Sequence, residues 1–361
     1  MDNWLWIGLA VVTASGIGFW AFVHFYLGGE SLTRYDALAG PWQPSRRSVS
    51  PENATVLTRV AGLLTGGDGP SKGKLRRLRA TLDSLGDEAD LAGITIVPTN
   101  AGGIAAEWVL ADTHTPDRRL LYIHGGAWAM GSPKSHRVIT TELARRSGAA
   151  VLAIDYRLIP EHPRLACFDD CQIAYRWLAA HGPGGASPAT RLFIAGDSAG
   201  GNLTLAMSAW ARDADVPTPD AVAALSPATD GTVSAPSIKR NLATDAMLGP
   251  LFAPLVRSPK TVVLLAFWLK TGLRPADPRV SPIHGNLAGL PPTLVQVSEC
   301  EMLLDDARRY VAKARAAGTP AELQTWPQMV HVWHFFAPVL PEGRDALAKI
   351  AEFFEHHAPR A

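Results

Sequence analysis

Gly196-Asp197-Ser198-Ala199-Gly200 is where this sequence concentrates its chemistry. An apolar run at 192–195 precedes it and a helical pattern at 200–211 follows, so Ser198 stands on a strand-to-helix turn, the nucleophile-elbow setting of G-x-S-x-G. Such a turn needs small neighbours, and the N-terminus of the following helix favours negative charge developing at the serine. A serine becomes a nucleophile when a base takes its proton and an acid orients the base. The candidate base is His331 in Met329-Val330-His331-Val332-Trp333-His334, with His334 as a rival. The candidate acid is Glu301, just after the run at 293–297, with Asp305 and Asp306 as rivals. His124-Gly125-Gly126-Ala127-Trp128 closes another run, 120–123. Its glycines leave backbone N–H groups open to a ligand; with the N–H of Ala199 they can bind the oxyanion of a tetrahedral intermediate.

These residues need a rigid frame. Beyond residue 90, short β-rich runs fall at 94–97, 105–110, 120–123, 150–154, 192–195, 222–225, 293–297 and 322–326. Helical patterns at 135–146, 169–180, 200–211, 302–317 and 345–356 alternate with the later ones. Runs buried on both faces between helices imply an α/β fold: a mostly parallel eight-stranded sheet with helices on both sides. Residues 234–271 interrupt the rhythm and read as an insertion over the strand ends, where open α/β sheets place their sites. Before residue 90, helices are expected at 51–64 and 75–85, separated by the breaker Gly66-Gly67-Asp68-Gly69-Pro70. The basic run Lys74, Arg76, Arg77, Arg79 reads as a solvated face.

Residues 4–27 contain no Asp, Glu, Lys or Arg. Crossing a bilayer takes about 20 such residues. Trp4, Trp6, Trp20, Phe25 and Tyr26 lie near the two ends of the run, as an aromatic belt would. The expectation is a membrane anchor over 1–28, with the catalytic part on the cytoplasmic side because Arg34, Arg46 and Arg47 follow the span. The competing expectation is a cap helix packed on the apolar rim of the site. The net charge of +1 points to no nucleic-acid partner. Cys167, Cys171 and Cys300 are too few and too irregular for a disulfide framework, and no zinc spacing completes a metal site. They read as small buried side chains.

With these motifs assembled, the chain resembles the hormone-sensitive-lipase-like esterases, the bacterial family IV carboxylesterases, from about residue 94 to the C-terminus. The resemblance rests on His124-Gly125-Gly126, Asp155-Tyr156-Arg157-Leu158-Ile159-Pro160-Glu161-His162-Pro163, Gly196-Asp197-Ser198-Ala199-Gly200-Gly201, Ser226-Pro227 with Thr229-Asp230, and Met329-Val330-His331. It implies an α/β-hydrolase fold with Ser198 as nucleophile, His331 as general base and acid, and Gly125, Gly126 and Ala199 as the oxyanion hole. The family usually carries Asp where this chain has Glu301; the matching Leu303 and Asp305 place Glu301 at the acid position. The family's helical cap corresponds to residues 29–90 and 234–271, the catalytic domain to 91–361. The implied activity is hydrolysis of small to medium acyl esters or lactones, with no metal or cofactor. Alternatives are an amidase or deacetylase using the same triad, or a silent ligand-binding protein, which would be expected to have lost Ser or His. Oligomeric state is left open.

Overall fold

Alternation along the apolar runs sends successive side chains to opposite sides of one sheet. Leu121, Ile123, Leu152 and Ile154 join a core on one face; Leu120, Tyr122 and Val151 join a second core on the other. The computed structural model describes residues 3–40, 47–65 and 73–360, with the side chains at 3–5, 8–12, 64 and 65 also outside the description. All eight expected strands are present: β1 (Ile94–Ala101), β2 (Ile104–Ala111), β3 (Thr115–Ile123), β4 (Ala149–Ile154), β5 (Arg191–Asp197), β6 (Ala221–Leu225), β7 (Thr293–Ser298) and β8 (Ala321–Trp326). They form one sheet in the order β1-β2-β4-β3-β5-β6-β7-β8. β2 runs antiparallel to both β1 and β4, and every other neighbouring pair is parallel.

Twelve helices are described: α1 (Asn3–Ala21), α2 (Thr33–Ala39), α3 (Glu52–Thr65), α4 (Lys74–Leu85), α5 (Arg137–Ser147), α6 (Ala166–Ala180), α7 (Ala199–Asp213), α8 (Ser237–Arg240), α9 (Leu248–Arg257), α10 (Lys260–Thr271), α11 (Leu304–Ala316) and α12 (Pro341–His357). Helices α6, α7 and α11 cover one face of the sheet, α5 and α12 the other. Phe193 of β5 stacks on Phe354 of α12 at 4.6 Å between ring centres, and both are fully buried. Burying one such ring contributes about 1.5–3 kcal/mol.

Register decides what meets at the carboxyl ends of the strands. Ile123 pairs with Gly196, so the glycine loop after β3 and the serine turn after β5 leave the sheet side by side. Asp197 pairs with Leu225, and Ser298 with Trp326, which brings the loops after β6, β7 and β8 to the same end.

The N-terminal segment is described only in part. It is helical over α1 and continues as a π-helical turn, Phe22–Leu27. Among the described residues, however, no single helix is long and apolar enough to cross a membrane. Much of the apolar run, at 3–5 and 8–12, falls outside the described side chains. The lower end of this segment is docked: Val23 and Leu27 are buried against Leu264 of α10. The breaker at 66–70 and the flanking Arg46 lie outside the described residues.

Candidate active site

Ser198 has φ 52° and ψ −114°, a conformation that costs a non-glycine residue about 1–3 kcal/mol. The surroundings hold it there. Its N–H donates to the Leu225 carbonyl at 2.7 Å, and its own carbonyl accepts from Asn202 N–H at 2.9 Å. The small neighbours are obligatory: a Cβ on Gly196 or Gly200 would lie 2.4 or 1.9 Å from the Ile123 carbonyl oxygen. The hydroxyl is thereby lifted clear at the N-terminus of α7.

The structure brings His331 and Glu301 to this serine. His331 Nε2 lies 2.9 Å from Ser198 Oγ, and Nδ1 lies 2.6 Å from Glu301 Oε2. An ionised carboxylate only accepts, so the imidazole proton sits on Nδ1 and Nε2 turns its lone pair to the serine. Glu301 is fully buried. Its other oxygen, Oε1, accepts from Ser226 Oγ–H and Ser298 N–H, both at 2.8 Å. Burial opposes charge on His331, but the Glu301 carboxylate outweighs it by charge and hydrogen bond and holds the imidazole above its usual pKa. The rivals are engaged elsewhere. His334 Nε2 meets Gln296 Oε1 at 2.8 Å, and burial pushes its pKa down to about 3, so it stays neutral. Asp305 pairs with Arg308 and Arg240. Asp306 accepts the N–H groups of Thr229 and Asp230.

One expected oxyanion donor needs correction. Gly125 N–H donates to Asp197 Oδ1 at 3.0 Å, so it is already taken. Asp197, the residue before the nucleophile, also accepts from Tyr122 Oη–H at 2.7 Å and meets His136 Nε2 at 3.3 Å. This bond turns the following peptides. Gly126 has φ 110° and Ala127 φ 53°, and the Gly126 carbonyl accepts from the N–H groups of Ala129 and Met130 in a tight turn. Among the described residues, no acceptor meets the N–H of Gly126 or Ala127. Their neighbour His124 is buried and neutral: burial first, then His136, pushes its pKa down to about 3. It stacks on Tyr156, whose hydroxyl donates to the His124 carbonyl at 2.7 Å.

Several contributors escape a reading of the residues alone. Ser226 stands in a quoted motif, but its bond to Glu301 spans 75 positions. Asp245 accepts Met302 N–H at 2.9 Å, and Asn241 Nδ2 donates to the carbonyls of Glu299 and Glu301, so the stretch before α9 braces the Glu301 loop. Arg79 is not merely solvated. It donates from Nε to the Ala129 carbonyl at 2.8 Å and forks onto Glu161, tying α4 to the glycine loop. Asp83 of the same helix accepts from Ser132 Oγ–H at 2.6 Å. Among the described residues no cluster of three His, Cys, Asp or Glu is placed to hold a metal ion. Cys167 and Cys171 are buried free thiols; Cys300 is half-buried.

Known proteins resemble this chain in sequence and fold. The family described as having the α/β-hydrolase fold matches residues 120–335. An acetyl-hydrolase of Streptomyces hygroscopicus is 42% identical over 252 residues, 70% of this chain and 80% of the relative. An esterase of Acinetobacter venetianus is 35% identical over 260 residues, 72% of this chain and 82% of its own length. A crystal structure of an esterase from the bacterial hormone-sensitive lipase family superposes with a TM-score of 0.73 at 36% identity, covering 86% of this chain and 99% of that one. An eight-stranded hydrolase sheet, a strained serine at its centre and relatives that are esterases agree: the chain belongs to the hormone-sensitive-lipase-like carboxylesterases of the α/β-hydrolase superfamily, and it is a carboxylic-ester hydrolase.

Proposed function

We propose that the chain hydrolyses small to medium acyl esters or lactones through Ser198, His331 and Glu301. The observation that carries this reading is the unbroken line Ser198 Oγ, His331, Glu301, with contacts of 2.9 and 2.6 Å. Ser198 Oγ attacks the ester carbonyl carbon while His331 Nε2 takes its proton. The carbonyl oxygen becomes an oxyanion and is met by the N–H groups of Gly126 and Ala199, with Ala127 in the place expected of Gly125. Collapse expels the alcohol, protonated by His331. Water, deprotonated by the same imidazole, then releases the acid. Each properly aimed donor is worth about 10²–10³ in kcat. The acetyl-hydrolase relative favours a short acyl group. A panel of p-nitrophenyl esters of rising chain length, with an anilide control, tests this. Turnover of the anilide above that of every ester would replace the reading with an amidase.

The helices at 29–90 and 234–271 are assigned to a cap over the domain at 91–361. We further infer that the N-terminal helix holds the protein on a membrane, with the catalytic domain on the cytoplasmic side. Trp6, Ile7, Ile17, Phe19 and Trp20 are exposed, and apolar side chains left uncovered in this way are satisfied by lipid. Insertion is not screened, so high salt leaves the protein in the membrane fraction. Recovery of the full chain in the soluble fraction would refute the anchor.

A further inference from the structure

The two helices that follow the stretch bracing Glu301 have an outward surface. On α9, Leu248, Phe252 and Val256 pack inward on the cluster of Ala235, Ile238, Met302 and Leu303. Leu251 and Leu255 point out and are exposed. On α10, Leu264 is buried against Val23 and Leu27 of the N-terminal segment, and the Phe22 ring meets Trp268 edge-on at 5.1 Å. On the far side of α10, Val262, Ala266 and Leu269 recur at helical spacing, all exposed, Leu269 to 74%. The two helices meet at 102°, and together they are apolar enough to pass as a broken membrane span.

Charge selects the occupant. Residues 246–276 contain no Asp or Glu, but they contain Arg257, Lys260, Lys270 and Arg274. Arg257 and Lys270 are exposed and form no ion pair among the described residues, whereas burial lowers the pKa of the Lys260 ammonium and the Asp230 carboxylate partly offsets this. An apolar ridge framed only by cations complements a bilayer with anionic headgroups: the side chains enter the acyl boundary and the ammonium groups stay at the phosphates. The N-terminal segment packs on the opposite side of α10 through the Val23–Leu264 contact, which ties the two elements together and leaves the ridge uncovered.

We propose that the outward face of α9 and α10 is a second contact with an anionic bilayer, seating the rim of the site next to Glu301 at the lipid interface. The proposal rests on the membrane reading of the N-terminal helix. Its test uses the full chain carrying Val262→Cys or Leu269→Cys labelled with an environment-sensitive dye. The unsubstituted chain, treated identically, corrects for dye on Cys300. The probes are vesicles of phosphatidylcholine with and without phosphatidylglycerol. With phosphatidylglycerol, the dye should shift to the blue and be quenched by lipids brominated on their acyl chains. Replacing Arg257 and Lys270 by Gln should lower the ratio of lipid-buried to water-exposed dye about fivefold for each charge removed, the equivalent of ~1 kcal/mol per basic residue. Turnover of water-soluble p-nitrophenyl acetate should not change. A chain that does not float with either vesicle refutes the anchor, and this proposal with it. A chain that floats while its dye stays in water refutes this proposal alone. Dye buried without vesicles, with a doubled mass, assigns the ridge to a second copy and equally overturns it.

Discussion

Replacing Glu301 by Gln keeps the shape of the side chain and reverses one half of its hydrogen bonding. Oε1 accepts from Ser226 Oγ–H and Ser298 N–H, so the amide oxygen of Gln must stay there. The NH₂ group then occupies the Oε2 position, 2.6 Å from His331 Nδ1, and it can only donate. Nδ1 must become the acceptor, the proton moves to Nε2, and the nitrogen facing Ser198 can no longer take its hydrogen. The wrong tautomer in an otherwise intact triad lowers kcat by about 10⁴, roughly 5 kcal/mol of barrier. Glu301→Asp keeps the charge and the tautomer but withdraws the carboxylate by about 1.5 Å, one C–C bond, and should lose less. The assay is steady-state hydrolysis of p-nitrophenyl butyrate, with near-ultraviolet circular dichroism to show that the core is native. Glu301→Gln within tenfold of the parent, or Glu301→Asp slower than Glu301→Gln, would refute the reasoning.

Ser198→Ala should retain the fold and lose nearly all turnover, leaving about 10³–10⁴ over water from the remaining site; near-normal rates would remove Ser198 from its role. His331→Ala should be comparably damaged and His334→Ala much milder, since His334 faces Gln296; equal losses in one ester assay would contradict the geometry. Because Glu301 holds His331 above its usual value of 6.5, the base is lost as pH falls through a pKa higher than that; kcat/KM should decline on the acid side with its inflection above 6.5. The same inflection should move down in Glu301→Gln, and a parent profile flat to pH 5 would exclude an imidazole base. Asp197→Ala strands Tyr122, Gly125 N–H and His136 in the interior and should cost about 3–5 kcal/mol in urea unfolding; a loss under about 1 kcal/mol would show that the network is dispensable.

The strands were legible because a run of Val, Ile, Leu and Ala between turn residues has few other readings; most proved one or two residues longer than their apolar runs, but β5 gained three residues, β1 four and β3 five, where polar residues carry the ladder onward. That Ser198, His331 and Glu301 would meet was legible for another reason: an elbow, a strand-end carboxylate and a late histidine carry their order in the chain. Gly125 misled because its composition resembles that of a free donor, whereas Asp197 reaches back over 72 positions to occupy it. Arg79 misled in the opposite sense. A basic run looks solvated until its partners, 50 and 82 residues away, are known. The N-terminal run was legible as helix, yet its lower end is partly satisfied by Leu264, a contact that hydropathy along one segment cannot encode.

Ser198 and His331 are 133 positions apart, and each hangs from a different strand end. No fragment of the nascent polypeptide that stops short of His331 carries the complete set. As synthesis proceeds from the N-terminus, the growing chain passes through most of its sheet without the means to deprotonate its serine. On the proposed triad, the last two strands, β7 and β8, bring the acid and the base, so hydrolysis should switch on at the end of folding, when the long-range pairings have closed. On that triad, the appearance of turnover during refolding should report closure of the final sheet edge rather than collapse.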